Sequence, residues 1–276
     1  MKKFKVGLQL YSIRDEMEKS VDDALRQVKE IGYDCVEFAG YFGHTAEELK
    51  GMLDKYGLEC ISVHQGPTLI AEEGQKAVDF MKALGAKYAA VPWYDKELHA
   101  GTEHWEETVK LFNSNGKLLK DNGIQQLYHN HDFEFETFNG KFLLDWIYET
   151  IPADYMQPEV DTCWVHYAGY DPSEYLLKYS GRIDIVHLKD FEAKRLGGGP
   201  AYALIDNEGN EIETERGDIG FRFRPVGYGR QNIPAIIEAA KKAGATCFIV
   251  EQDEWYDGSS IQDAKTSREY LKSLGL

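Results

Sequence analysis

The chain has 276 residues, 43% of them hydrophobic and 13% aromatic, with a formal net charge of −16 at pH 7. That length is ample for one large core, and no long Pro/Gly/Ser-rich linker divides it, so residues 1–276 read as one domain. The acidic balance argues against a duplex-binding surface, which needs a basic footprint, although a local site of opposite sign could still take an anion.

Strand-like and helix-like segments alternate along the chain. Val6–Tyr11 reads as a first strand, and Val21–Ile31 as an amphipathic helix with Val21, Ala24, Leu25, Val28 and Ile31 on one face. A second strand covers Asp34–Ala39. Thr45 with Glu48 three residues on forms a capping signal for a helix that ends near Gly57. Glu59–His64 is the third strand, Glu73–Leu84 a helix and Tyr88–Pro92 the fourth strand. In the second half a helix from about His104 to Asp121 leads into a fifth strand, Gln125–His131. The helix Phe142–Ile151 stops at Pro152, and a sixth strand lies near Met156–Asp161. The helix Pro172–Tyr179 precedes a seventh strand ending at Lys189-Asp190. Helix Ile233–Lys242, an eighth strand ending at Glu251 and a helix from about Ile261 to Leu274 complete the pattern.

Eight β-then-α units with apolar strands that do not alternate strictly favour a closed (β/α)8 barrel over an open doubly wound sheet. One segment breaks the rhythm. Residues 191–232 form a long excursion at the C-terminal face, with a hairpin-like turn within Ile205–Ile212. No GxGxxG follows the first strand, and Gly197-Gly198-Gly199 lies outside a strand-to-helix context, so no dinucleotide cofactor is expected. The widely separated cysteines, Cys35, Cys60, Cys163 and Cys247, fit free thiols in a reducing compartment. Met1–Lys5 enters a strand without the longer apolar stretch of a signal peptide, and no apolar run is long enough to span a bilayer. A cytoplasmic protein with neither a membrane nor a nucleic-acid partner is the expectation.

Several strands end in ligand-type residues: Tyr128-His129-Asn130-His131, Ile185-Val186-His187-Leu188-Lys189-Asp190 and Ile249-Val250-Glu251-Gln252-Asp253. Burying such residues without partners is costly, so their repetition points to a shared polar site. In a barrel, Asp161, His187 and Glu251 would face one mouth, a carboxylate–imidazole cage suited to Mn2+, Mg2+, Co2+ or Zn2+. The fifth strand would supply a fourth ligand from His129, His131 or Glu134. His129 and His131 share a face if the strand continues that far, and either could ligate, orient a hydroxyl or move a proton. Glu159 would pair with a basic residue deeper inside, Lys189 or Arg182. Glu37 and His64 are expected to face the substrate from the opposite side. Trp93, Trp164 and Trp255 could pack on the C–H surface of a carbohydrate.

These residues resemble the xylose-isomerase-like TIM-barrel superfamily, and within it the sugar phosphate isomerase/epimerase group. The resemblance rests on Gln9-Leu10-Tyr11-Ser12-Ile13-Arg14, the run from Tyr128 to Phe135, Asp161-Thr162-Cys163-Trp164, the run from Gly181 to Asp190, Pro225–Gly229 and Val250–Asp253. It implies a divalent metal held by Asp161, His187 and Glu251. Histidines occupy the tip of the fifth strand where members carry Glu, which makes Glu134 the substitute fourth ligand. Trp164 stands where ketose epimerases carry a His. The tandem histidines are similar to the inosose dehydratase branch and to enzymes acting on 3-keto sugars. The resemblance implies a metal-dependent isomerase or epimerase working through an enediolate on a small carbohydrate. The alternative is a dehydratase or lyase acting on an inosose or 3-keto sugar. An abasic-site endonuclease and a non-enzymatic sugar-binding protein complete the field. For the proton-transfer group, His129 or His131 is expected, with Lys189 orienting substrate or stabilising charge; if both histidines are ligands, the base role passes to Glu159 or Lys189. Arg182 joins Glu37, His64 and the three tryptophans as a candidate substrate contact.

Overall fold

Residues 4–197 and 219–276 are described by the computed structural model. Their apolar runs form eight parallel strands, β1 (Lys5–Gln9), β2 (Cys35–Ala39), β3 (Glu59–His64), β4 (Tyr88–Val91), β5 (Gln125–His129), β6 (Gln157–Asp161), β7 (Ile185–Leu188) and β8 (Cys247–Val250). Leu8 of β1 lies opposite Val36 of β2 on one side and Val250 of β8 on the other, which closes the sheet into a (β/α)8 TIM barrel. With helices outside and side chains within, the strand interiors are buried on both faces, and β7 and β8 are buried throughout.

The barrel floor is apolar. Cys35, Ile61, Ala90, Leu127, Ile185, Cys247 and Ile249 fill it, and all four cysteines are free and buried. Gly7 is required here, because a Cβ would stand 2.6 Å from Ile249 Cδ1 and 2.9 Å from Cys35 Sγ. Outside, the helix Val21–Ile31 buries Val21, Ala24, Leu25 and Val28, is capped by Ser20 and stops at Gly32, whose φ is +101°. Thr45 and Glu48 form the capping box that their spacing predicts.

Register places the polar tips at one end. His129 pairs with Glu159, Asp161 with His187, and Gln9 with Glu37. Strand β5 ends at His129 and does not continue to His131. The cause is Asn130, whose Oδ1 accepts from Asp161 N–H at 3.0 Å and whose Nδ2 donates to Asp161 O at 3.3 Å. The side chain continues the ladder while the backbone turns away, so His129 and His131 are not two residues of one strand face.

Other boundaries also shift. The first strand gives way at Leu10 to a 3-10 turn and the helix Arg14–Lys19. The expected helix Glu73–Leu84 begins at Gln75, and a further helix, Pro67–Glu73, precedes it across Gly74. Thr162–Tyr167 is a helix capped by Asp161 itself, which accepts from Cys163 N–H at 2.8 Å. The seventh strand is shorter than expected, and Asp190–Glu192 leaves it to pair antiparallel with Arg222–Arg224.

That ribbon carries Phe191, Phe221 and Phe223 onto Trp164 and Tyr167. Asp190 anchors it by accepting backbone N–H bonds from Phe191, Gly227, Gly229 and Gln231 at 2.9–3.2 Å. The turn expected within residues 205–212 lies outside the described residues. Among the described residues no helix is long and apolar enough to cross a membrane.

Candidate metal centre

Strand ends bring His129, Asp161, His187 and Glu251 together, with one donor atom from each lying within 4.8 Å of the others. All are buried. Carboxylate oxygens and imidazole nitrogens form a hard-to-borderline donor set that suits Mn2+, Mg2+, Co2+ or Zn2+. The buried His129 Nδ1 and Glu159 Oε1 make no hydrogen bond, and a cation among these groups would relieve such orphaned atoms. The residues present therefore fit a divalent ion.

Lys189 stands at the upper edge of the set and is 1% exposed. Its Nζ lies 3.0 Å from Asp161 Oδ2, 2.9 Å from Glu251 Oε2 and 3.1 Å from Asp253 Oδ1. Burial pushes the Glu251 carboxyl up, but the charges of Lys189 and His187 overcome it and hold it well below the usual range. Burial also raises Asp161, and there Lys189 opposes it without winning.

A second group lies deeper. His64 Nε2 is 3.1 Å from both Glu37 Oε2 and Glu159 Oε2, and His187 Nε2 is 2.8 Å from Glu37 Oε2. His64, His129, Glu159 and His187 also bring one donor atom each within 4.8 Å. Burial pulls His64 down, but Glu37 and Glu159 together outweigh it and raise the imidazole to about 10. Burial, then the charge of Glu37, pushes Glu159 up to about 7. The basic partner that the sequence suggests for Glu159, Lys189 or Arg182, is in fact His64 and the neighbouring imidazoles.

His131 lies beside these donors without joining either group. Its ring is 5.1 Å from that of His129 and stacks on Phe133 at 5.7 Å. Burial first, then neighbouring cationic groups, hold both His129 and His131 well below the usual imidazole value. Glu134, expected as the fourth ligand, is engaged elsewhere: Oε1 accepts from the Tyr128 hydroxyl at 2.6 Å and Oε2 from His131 N–H at 2.7 Å. It is not among the clustered donors, whose fifth-strand member is His129.

Trp164 is fully buried behind Lys189, its ring 5.3 Å from Nζ, and Trp93 is partly exposed. At the rim Arg14 stacks over Tyr11 at 4.2 Å and over Trp255 at 5.4 Å. Arg182 is remote from this mouth: it donates to Tyr148 O and to Met156 O, the residue preceding β6, at the opposite end of the barrel. Two contributors escaped the sequence reading. Gln9 Nε2 donates to Glu37 Oε2 at 2.9 Å, and Asp253 pairs with Lys189. Each follows the strand-tip pattern, one closing β1 and the other two residues past Glu251.

A family profile for the xylose isomerase-like TIM barrel matches residues 25–274. The chain belongs to that family. It is accordingly a metal-dependent enzyme of the sugar isomerase, epimerase and dehydratase superfamily, and the clustered donors are its candidate divalent-metal centre. Among curated relatives, an inosose dehydratase of Mesomycoplasma hyopneumoniae (strain 7448) is 26% identical over 278 residues, spanning 92% of this chain and 89% of that protein. An inosose dehydratase of Geobacillus kaustophilus is 27% identical over 192 residues, 61% of each chain. Among solved structures, a sugar phosphate isomerase/epimerase from Parabacteroides distasonis superposes with a TM-score of 0.78 at 20% identity, covering 99% of this chain and 97% of that one. The IOLI protein with a bound zinc atom superposes with a TM-score of 0.68 at 16% identity, covering 98% and 97%. These two show likeness of fold.

Proposed function

We propose that this family member is a divalent-metal-dependent dehydratase acting on an unsaturated-bond-forming elimination of a keto polyol, an inosose or 3-keto sugar. The observation that carries the reading is the division of labour between the tandem histidines. His129 joins the donor set, while His131 stands just outside it with a ring that burial keeps neutral. The full-length likeness to inosose dehydratases supports it.

His129, Asp161, His187 and Glu251 would hold a divalent ion, which when bound would supply Lewis-acid polarisation of the substrate carbonyl. His131, kept neutral by burial, would take the proton from the neighbouring carbon as the general base. As the β C–O bond breaks, a C=C bond forms in conjugation with the carbonyl. The imidazolium returns its proton to the departing hydroxyl, which leaves as water. Lys189 stabilises negative charge growing on the carbonyl oxygen. Tyr11, Arg14 and Trp255 form a rim wall for the C–H face of the ring, and Trp93 adds a further apolar surface.

Epimerisation or isomerisation of a sugar is the second reading, because it shares the proton-abstraction step. Epimerisation calls for a second group to return the proton on the other face, and Glu159 is tied beneath the donors by His64. Incubation of metal-loaded enzyme with inososes, 3-keto glycosides and ketoses in heavy water, followed by NMR, decides between them. Loss of water with appearance of an enone is the expected result. An isomer that retains all its oxygens would overturn it.

A further inference from the structure

Lys189 Nζ and the metal donor set claim the same atoms. The ammonium lies 3.0 Å from Asp161 Oδ2 and 2.9 Å from Glu251 Oε2, and both residues belong to the four-residue donor group. A divalent ion on those carboxylates would face a buried positive charge a few ångströms away, with little solvent to screen it. Two further features give the ammonium another place to rest. Asp253 lies 3.1 Å away through Oδ1 and 3.3 Å through Oδ2, on the rim side, and belongs to neither donor group. The rings of Trp164 and Phe223 flank Nζ at 5.3 and 5.7 Å, a wall suited to a cation.

We propose that Lys189 is a built-in competitor for the metal site and that Asp253 is the positioning residue that draws its ammonium off Asp161 and Glu251 when a divalent ion binds them. Metal binding and the position of Lys189 are then one linked equilibrium. An ion on the carboxylates drives the ammonium onto Asp253, toward the mouth, where a substrate oxygen can meet it. The site is thereby armed only when loaded. This rests on the metal reading of the donor set but not on which reaction follows.

The test is direct metal binding. Protein stripped with chelator is titrated with Mn2+ by calorimetry, as wild type, Lys189→Met, Asp253→Asn and the double variant. Removing the competing charge should tighten Mn2+ binding about tenfold in Lys189→Met, while Asp253→Asn should weaken it by about the same factor. The double variant should bind as tightly as Lys189→Met, because Asp253 acts only through the lysine. If the lysine variant does not fold, Lys189→Gln replaces it with the same expectation.

Unchanged or weaker Mn2+ binding without the ammonium would overturn the proposal. So would an equal loss from Asp253→Asn in both lysine backgrounds, which would make Asp253 a ligand or a purely structural group. Failure of wild type to bind Mn2+ at all would instead remove the metal reading on which the proposal stands.

Discussion

His64 and Glu159 meet across the barrel: Nε2 on β3 lies 3.1 Å from Oε2 on β6, although β4 and β5 separate the two strands. The same nitrogen is 3.1 Å from Glu37 Oε2 on β2. One imidazole thus links three strands and keeps two buried carboxylates apart. Breaking a buried pair by removing one partner is far more costly than never having built it.

His64→Ala should therefore lower unfolding stability by about 3 kcal/mol, leaving His187 as the remaining imidazole between Glu37 and Glu159. Adding Glu159→Gln should restore part of the loss by removing the like charge. Urea unfolding of the two variants checks this, and an absence of rescue would mean that the ring acts by packing alone.

Glu134 offers a sharp test of its own placement. Both its oxygens are used, by the Tyr128 hydroxyl and by His131 N–H, and burial pushes its carboxyl up to about 8. Glu134→Gln keeps an oxygen to accept from His131 N–H and an amide that can donate to a reoriented Tyr128 hydroxyl, so it should keep full metal content and lose little stability. Glu134→Ala strands two buried donors and should cost about 2–3 kcal/mol. Metal analysis and urea unfolding of both variants provide the readout. Loss of metal from the Gln variant with its fold intact would return Glu134 to the ligand set.

The barrel and three of the donors were legible because strand-tip chemistry is written locally: an apolar run followed by Asp161, His187 or Glu251 is visible in one dimension. Glu134 was misplaced because the end of β5 is decided by Asn130, whose side chain pairs with the backbone of Asp161 on another strand. That contact has no signature in the local pattern. Arg182 looked like a site residue because it begins the run leading to His187. It lies before β7, however, and a parallel barrel puts strand starts at the far end from the mouth. Asp253 and Gln9 belong to the pattern already used, but their partners are set by register between strands rather than by neighbours in sequence.

His99 gives the stability a pH signature away from the metal donors. Its ring stacks on Phe133 at 5.3 Å, and burial pulls its imidazole down from 6.5 to about 4. Between those values the unfolded chain binds more protons than the folded one, so stability rises with pH across the window. The contribution is complete above pH 6.5 and is lost as pH falls through about 4. His99→Phe keeps a stacked ring and removes the titration. The wild type should lose stability relative to this variant as pH falls from 6.5 toward 4. A difference in urea midpoint that does not vary with pH would show that His99 takes up its proton as readily in the folded chain as in the unfolded one.

The tandem histidines should separate experimentally. His129 Nε2 lies 3.7 Å from Asp161 Oδ2 and 3.9 Å from Glu251 Oε2, inside the donor set, whereas His131 stands outside it against Phe133. His129→Gln should therefore lower metal content together with every activity. His131→Gln should keep metal content and substrate affinity but lose proton exchange at the carbon beside the carbonyl. Its kcat should drop by about 10²–10⁴, the range for loss of a general base. Elemental analysis paired with deuterium incorporation measured by NMR distinguishes the two losses. If both variants lose metal, the histidines are ligands together and the base role passes to Lys189, or to Glu159 once freed from His64. If His131→Gln still exchanges the proton with metal retained, the proposed elimination must start from another group.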